Sequence, residues 1–445
     1  MRLRETAGVW MDCIFLGVVL AAAPLFLFPR ARYAWGGIVL GGMLLARGAI
    51  LGRFLERTPL DWAVGVLGLM ILATCFVVPD IEFSMGKIAG ALYGILLYYA
   101  AVTVMRTARA IKAGVYGFIL VGVALAAFGS AGAMLGPEQA FVRVLPGLTY
   151  IPKHNWALPG AEAGINPNAV GGSLLWVIPL ALFLAGAMLG KGKRDTVKAM
   201  VQAEEGGQGE TTCLPGLLLL SLASAVLLAA LFLSQSYGTW IALILSVWLI
   251  ALSPKWKAWS LVVALVLCGV IYAIGPLRRA VAPLTITGTT GTGETASTAN
   301  VVRVKIEQRY GLWSAGIGAI RRAPVFGVGM NRLRLEPGIS YTNAHAHNQF
   351  ITTGAELGIP GLVAYIAMLI GAGWMAWVVW KRSGDPWMRA AAAGLIAGQA
   401  AFHVFGLGDA IPLGSKPGAL FWVSLALIAA IYKIGDSRGE GFHWP

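Results

Sequence analysis

Apolar runs of membrane length recur along the whole chain, separated by short charged or Pro/Gly-rich links. Crossing roughly 30 Å of hydrocarbon takes about 20 apolar residues in a helix. Twelve windows meet that pattern, at 9–28, 33–51, 62–79, 86–105, 113–135, 169–190, 213–233, 238–252, 258–275, 359–380, 390–406 and 417–434. The pattern therefore predicts an all-α polytopic membrane protein of about twelve spans, with one large outer loop between spans nine and ten. The second and eighth windows are the weakest, because Arg47 interrupts one and the other is short.

Composition points the same way. The chain has 445 residues, of which 58% are hydrophobic and 12% charged, and its mean hydropathy is +0.73. A soluble domain carries about 25% charged residues, so a single water-soluble core is excluded. With the N-terminus placed in the cytoplasm, inside links hold eighteen Lys and Arg and short outside links six, an asymmetry that puts both termini inside. Much of the net charge of +14 then lies beside anionic headgroups, so it argues for membrane lipid as a partner and not for nucleic acid. Met1 to Glu5 leads straight into a span of full length, without the small-residue site of a cleaved signal. The four cysteines show no CxxC or metal-ligand spacing and read as small packing residues.

Four sections follow: spans one to five over 1–135, spans six to nine with an outer loop and a cytoplasmic connector over 136–275, a long extracytoplasmic loop over 276–358, and spans ten to twelve with a cytoplasmic tail over 359–445. Within the second, 191–212 is polar and Gly-rich and reads as a flexible connector. The 276–358 loop is far longer than a connection needs, which marks function or disorder. Thr285 to Thr298 is a Thr/Gly run of disordered character. From Val302 the residues Ile306, Tyr310, Trp313, Ile317 and Ile320 fall on one helical stripe, bordered by Lys305 and Arg309 on one side and Arg303 and Arg321 on the other. Such a helix would lie along the outer membrane surface with its arginines at phosphate level. The loop holds nine basic residues against four acidic ones, which suits an anionic ligand.

The densest polar cluster comes next, Tyr341 to Asn348, with His345 and His347 two residues apart just before a span that begins near Gly358. Histidine accepts and returns a proton near neutral pH, so the pair reads as a site. Zinc would need a third ligand that the neighbouring sequence does not supply. Asp80 and Glu82 at the outer end of span three are the alternative cation pair, although solvated loop charges are the simpler reading. Asp409 either pairs with Lys416 in the same outer link, or it orients His347 or binds an acceptor hydroxyl, the first being the simpler assignment.

These residues resemble the O-antigen ligase and polymerase superfamily. His347-Asn348, Gly358 and Gly361 match its H-N-x9-G-x-x-G pattern, continued by Ala355-Glu356-Leu357-Gly358-Ile359-Pro360-Gly361. Arg309 to Trp313 resembles its R-x-x-x-W, Ala323 to Gly329 its P-x-x-G-x-G turn, and Asn166-Pro167-Asn168 its N-P-N before span six. The resemblance implies a membrane glycosyltransferase that works without metal or other cofactor at the outer face of the bacterial inner membrane. Its donor would be a glycan on undecaprenyl diphosphate and its acceptor a glycan, glycolipid or protein. By that resemblance His347 is the base and Arg309 the diphosphate clamp, with Arg303, Arg321 and Asn348 as further candidates. His345, Asn166, Asn168 and Asp409 would orient substrate, although Asn168 equally reads as a helix cap.

One position departs from the pattern. The family's S-R-G-x-W reads Ser236-Tyr237-Gly238-Thr239-Trp240 here, so Tyr237 replaces an arginine that contacts diphosphate in relatives. Ligase and polymerase share this chemistry and differ only in acceptor. A transporter would place ionisable groups within spans, where Arg47 and His403 are the main candidates, and would show repeated halves, which this chain lacks. A structural protein without activity would leave the arginine helix and the histidine pair without a role.

Overall fold

The computed structural model describes residues 2–27, 33–52, 54–132, 165–189, 214–234, 236–251, 298–339 and 345–437. Among these residues the chain is helical, with no strand. The helices are α1 (Arg2–Ala21), α2 (Ala23–Leu27), α3 (Tyr33–Leu51), α4 (Asp61–Val77), α5 (Ile81–Val104) and α6 (Ala108–Gly132). Then come α7 (Pro167–Leu174, running on after a turn to Leu189), α8 (Leu214–Ser234), α9 (Tyr237–Ala251) and α10 (Thr298–Arg322). The last three are α11 (Gln349–Arg382), α12 (Pro386–Phe405) and α13 (Ala419–Ser437). Six helices are long and apolar enough to cross a membrane, and α1, α3, α4 and α9 contain shorter apolar stretches. The ninth window, the connector at 191–212 and the Thr/Gly run up to residue 297 lie outside the described residues.

Several helices begin before their apolar windows, and in α5 and α11 a cap explains the early start. Asp80 accepts a hydrogen bond from the Phe83 amide (3.3 Å), so α5 starts at Ile81, five residues before its window. Asn348 caps α11 in the same way, which adds ten residues before the predicted start at 359. That added stretch is polar because its Gln349, Thr352, Thr353 and Glu356 are buried against protein instead of facing lipid.

α11 is the centre of the bundle and packs against α4, α10, α12 and α13. Trp176, Trp422, Tyr98 and Tyr365 are buried around it. Small residues let helices close in, as membrane packing requires: a Cβ on Gly94 would stand 2.1 Å from the Trp422 ring and one on Gly394 2.6 Å from the Leu180 backbone. Arg47, which weakened the second window, is fully buried and bonds Asp12 of α1 through Nε (3.0 Å) and Nη2 (2.9 Å). Removing one partner from such a pair costs about 3–5 kcal/mol.

The two ends of the bundle carry different polar chemistry. At one, Glu56 joins Arg106 (2.9 Å) and Lys433 (3.0 Å). At the other, the turn after α10 docks on α11 backbone to backbone. Ile359 donates to Pro324 O (2.7 Å), Val328 to Ala355 O (2.8 Å) and Gly329 to Glu356 O (3.1 Å). The contact requires a kink at Gly358, whose φ of 72° only glycine adopts without strain. Pro360 follows within the first turn beyond the kink, where its missing N–H costs nothing. Asn331 fastens the same turn to α11 and to the first turn of α5, donating from its amide to Glu356 Oε1 (2.9 Å) and from Nδ2 to Phe83 O (2.8 Å).

A Cβ at Gly358 would lie 2.2 Å from Val325 O, whereas one at Gly373 meets nothing within 4 Å. Gly358→Ala should therefore cost more than about 2 kcal/mol, and Gly373→Ala should be close to neutral. Melting temperatures of the detergent-solubilised variants check this; equal values would contradict the docking argument.

Candidate active site

The site forms where the first turn of α11 meets the turn that ends α12. Gln349 donates its amide to Gly406 O (2.7 Å), and its Oε1 accepts from the Ile411 amide (3.0 Å). Asn348 bridges the same two segments. Its Oδ1 accepts from the Phe350 and Ile351 amides (both 3.0 Å), and its Nδ2 donates to Leu407 O (3.1 Å). Asn348 is thus fully used as a cap and a clasp.

That clasp sets His347 against Asp409. Asp409 Oδ1 lies 3.0 Å from His347 Nδ1 and accepts from the Ala410 amide (2.9 Å). Nδ1 faces this carboxylate, so a neutral ring that donates from Nδ1 leaves its Nε2 lone pair free. Asp409 therefore turns to His347, the second of its two sequence readings. His347 has a left-handed backbone (φ 49°), a rare conformation for a residue with a side chain. Its amide donates to His345 Nδ1 (3.2 Å), and the two rings meet edge to face at 4.6 Å.

Both neighbours of His347 have shifted protonation. Burial pushes His345 down to about 4, against the opposing charge of Asp409 and with the added positive charges of His347, Lys87 and Arg334. Burial alone would raise Asp409, but the hydrogen bond with His347 and the charge of both histidines outweigh it and hold the carboxyl below its ordinary value. Lys87 and Arg334 are cations of this neighbourhood that the sequence motifs did not single out; Lys87 sits on α5, far from His345 in sequence, and Arg334 in the turn after α10.

α10 brings one of the three predicted arginines to the group. The helix packs through Leu312, Ala315, Ala319 and Ile320 onto Ala346, Ile351 and Ala355. Tyr310 and Ile317 of the predicted stripe are exposed instead, at 64% and 40%. The stripe is a real helical face, but the packed face is the adjoining one made of smaller residues. Arg309 borders that packed face, and its Nη1 lies 3.7 Å from where a Cβ on Gly408 would stand. Arg321 is exposed, twelve residues on, or about 18 Å along the axis. It does not join His347. Arg303 lies on the part of α10 whose side chains fall outside the described residues, as does the side chain of Tyr237 at the start of α9.

Asn166, not Asn168, caps the sixth predicted span: its side chain accepts from the Asn168 amide (2.9 Å), with Pro167 at the first helical position. Asp80 and Glu82 are exposed, and Asp80 is occupied as a cap. The cluster that fits a cation is a different one. His345, His347 and Asp409 offer ligand atoms within 4.8 Å of one another, so Asp409 supplies the third ligand that the local sequence lacked. The ionisable groups inside spans are tied up: besides the Arg47–Asp12 pair, His403 Nδ1 donates to Gln399 O (2.7 Å) and its Nε2 accepts from the Tyr365 hydroxyl (2.8 Å).

A helical membrane protein with a His–Asp pair, a neighbouring guanidinium and a kinked central helix is the class that fold and site define. Residues 222–366 match the sequence model of the O-antigen ligase family. The matched stretch, about a third of the chain, contains Arg309, the docking turn, the histidine pair and the kink. No curated protein matches the chain.

Acid should loosen this corner first. Folded His345 stays neutral down to about 4 while the unfolded residue protonates at its ordinary value of 6.5, so the unfolded state binds more protons and stability falls as pH drops through that window. The depressed Asp409 adds a loss only below its ordinary value of 3.8. The His345 contribution to melting temperature should therefore decline between about pH 6.5 and 4, read as the difference from His345→Gln. His345→Gln should flatten the decline, and an identical slope in both proteins would contradict the assignment.

Proposed function

We propose that this protein is an O-antigen ligase-type glycosyltransferase, which moves a glycan from undecaprenyl diphosphate to a sugar hydroxyl at the outer face of the bacterial inner membrane. The observation that carries the reading is the His347–Asp409 pair at 3.0 Å, with the Arg309 guanidinium against Gly408, the residue before Asp409. Transfer from a diphosphate needs a base for the acceptor proton and positive charge for the departing diphosphate, and these groups supply both.

In this mechanism the acceptor hydroxyl oxygen attacks the anomeric carbon as its bond to the diphosphate oxygen breaks. His347 Nε2 takes the hydroxyl proton, and Asp409 stabilises the imidazolium that forms. Attack opposite the leaving group inverts the anomeric centre. Arg309 holds the diphosphate by paired hydrogen bonds and stays charged throughout, so the charge requirement is met without a metal ion. Arg309 belongs to a separate family motif, so the departure at Tyr237 calls for another cation, such as Arg303 or Arg332. Arg303 and Arg332 are the reserve cations, and Asn166 and Asn168 stand as sugar-orienting candidates.

The acceptor separates the two readings within this class. A lipid A core sugar or a protein makes the enzyme a ligase, and a second lipid-linked glycan makes it a polymerase. Ligase is the reading adopted here, with O-antigen or exopolysaccharide polymerase as the alternative. Polysaccharide or lipid transport has less support, because Arg47 and His403 are hydrogen-bonded into the bundle.

Purified protein in lipid, given an undecaprenyl diphosphate oligosaccharide and acceptors from the native host, should transfer glycan with EDTA present. His347→Ala should lower the rate by about 10²–10⁴ and Arg309→Ala by about 10²–10³. Arg309→Lys should recover only part, since a point charge does not replace a paired contact. Transfer untouched by these changes in folded protein would sink the site assignment, and no carrier turnover by folded parent would sink the transferase reading.

A further inference from the structure

The three groups around His347 also have the makings of a cation site. Tetrahedral zinc with nitrogen and oxygen ligands at 2.0–2.2 Å sets ligand atoms about 3.4 Å apart. Asp409 Oδ1 stands 3.0 Å from His347 Nδ1 and 3.8 Å from His345 Nε2, on either side of that spacing. All three ligand atoms lie within 4.8 Å of one another, so a small shift of one ring brings them to one ion. His347 is 28% exposed at its side chain, which leaves water to complete the coordination. Two imidazoles and one carboxylate favour a borderline transition metal over magnesium or calcium, which prefer all-oxygen sites.

We propose that His345, His347 and Asp409 bind one zinc-class divalent cation, and that this cation switches the active site off. The consequence for catalysis rests on the general-base reading above; the binding does not. A metal on His347 Nδ1 takes the place of the ring proton now shared with Asp409, and that proton moves to Nε2. Nε2 then has no lone pair for the acceptor hydroxyl, so the loaded protein lacks its base. His345 sets the affinity. Its Nδ1 now accepts from the His347 amide (3.2 Å), so binding through Nε2 requires the His345 proton to move to Nδ1 and that hydrogen bond to be given up. The cost makes occupancy follow the free cation concentration, which is the behaviour of a regulatory ion and not of a resident cofactor.

The test uses the untagged full chain in lipid nanodiscs, stripped with EDTA and dialysed against zinc chloride, with bound zinc counted by elemental analysis. The parent should retain one equivalent, unaffected by excess magnesium. His345→Ala, His347→Ala and Asp409→Asn should each lose it while melting near the parent, and Asp409→Glu, which restores a carboxylate, should regain it. Cobalt in place of zinc should give visible absorption of the same dependence. In the transfer assay, one equivalent of zinc should slow the parent about a hundredfold, and EDTA should restore it. No retained zinc in the parent, or equal zinc in all three variants, overturns the site. Zinc lost in the variants but without effect on an active parent overturns the switch, and a folded parent that binds zinc yet never transfers glycan overturns the transferase reading alone.

Discussion

Everything at the site depends on the hydrogen bonds that clasp the start of α11 to the end of α12. Gln349 and Asn348 reach Gly406, Leu407 and Ile411, residues some sixty positions later, and they do so largely through backbone groups. Each of these groups would be an unpaired polar atom in or near hydrocarbon without the other, which costs several kcal/mol apiece. The clasp is therefore made once and made tightly. A histidine directly before the cap and an aspartate directly after the clasped turn then have no choice but to face each other.

A second backbone contact decides where α10 lies. The turn over Pro324 to Gly329 meets the kinked strand of backbone at Ala355 to Ile359, and Gly327 and Gly358 are present because a Cβ on either would collide with the other segment's main chain. Kinking α11 there lets its first two turns leave the axis of the rest of the helix. It also brings α10 alongside them, so Arg309 arrives at Gly408 by the geometry of a helix docked elsewhere. The positive charge and the proton acceptor thus sit on different elements that are fixed independently, an arrangement that holds a site rigid without using flexible loops for precision.

Much of this was legible in the sequence, and the misses have physical causes. The helices follow from apolar length alone, and His347, Asn348 and Arg309 from local motifs. The role of Asp409 stayed open because its partner lies 62 residues away, and no local pattern distinguishes a histidine from a lysine as the group it will meet. The packed face of α10 was assigned one neighbour off, since periodicity weights large apolar residues, whereas two helices in close contact bury the small ones, here Ala315, Gly316 and Ala319. The cap at Asn166 was displaced by two residues because Pro167 takes the first helical position and sends the cap to the residue before it. Lys87 carried no signal, being a single cation on an element that only the fold brings near His345, and Arg334 was legible only as one of the loop's nine basic residues.

The central claim is that Asp409 acts through His347 and not beside it. Glycan transfer rates for the parent, His347→Ala, Asp409→Asn and the double variant, all under the same EDTA-treated conditions, test it most directly. The account predicts that the double variant is no slower than His347→Ala within about twofold, because a residue that only aims and charges the base has nothing left to act on once the base is gone. Losses that multiply would mean that Asp409 contributes to transfer by a separate route, and the His347–Asp409 unit would have to be abandoned.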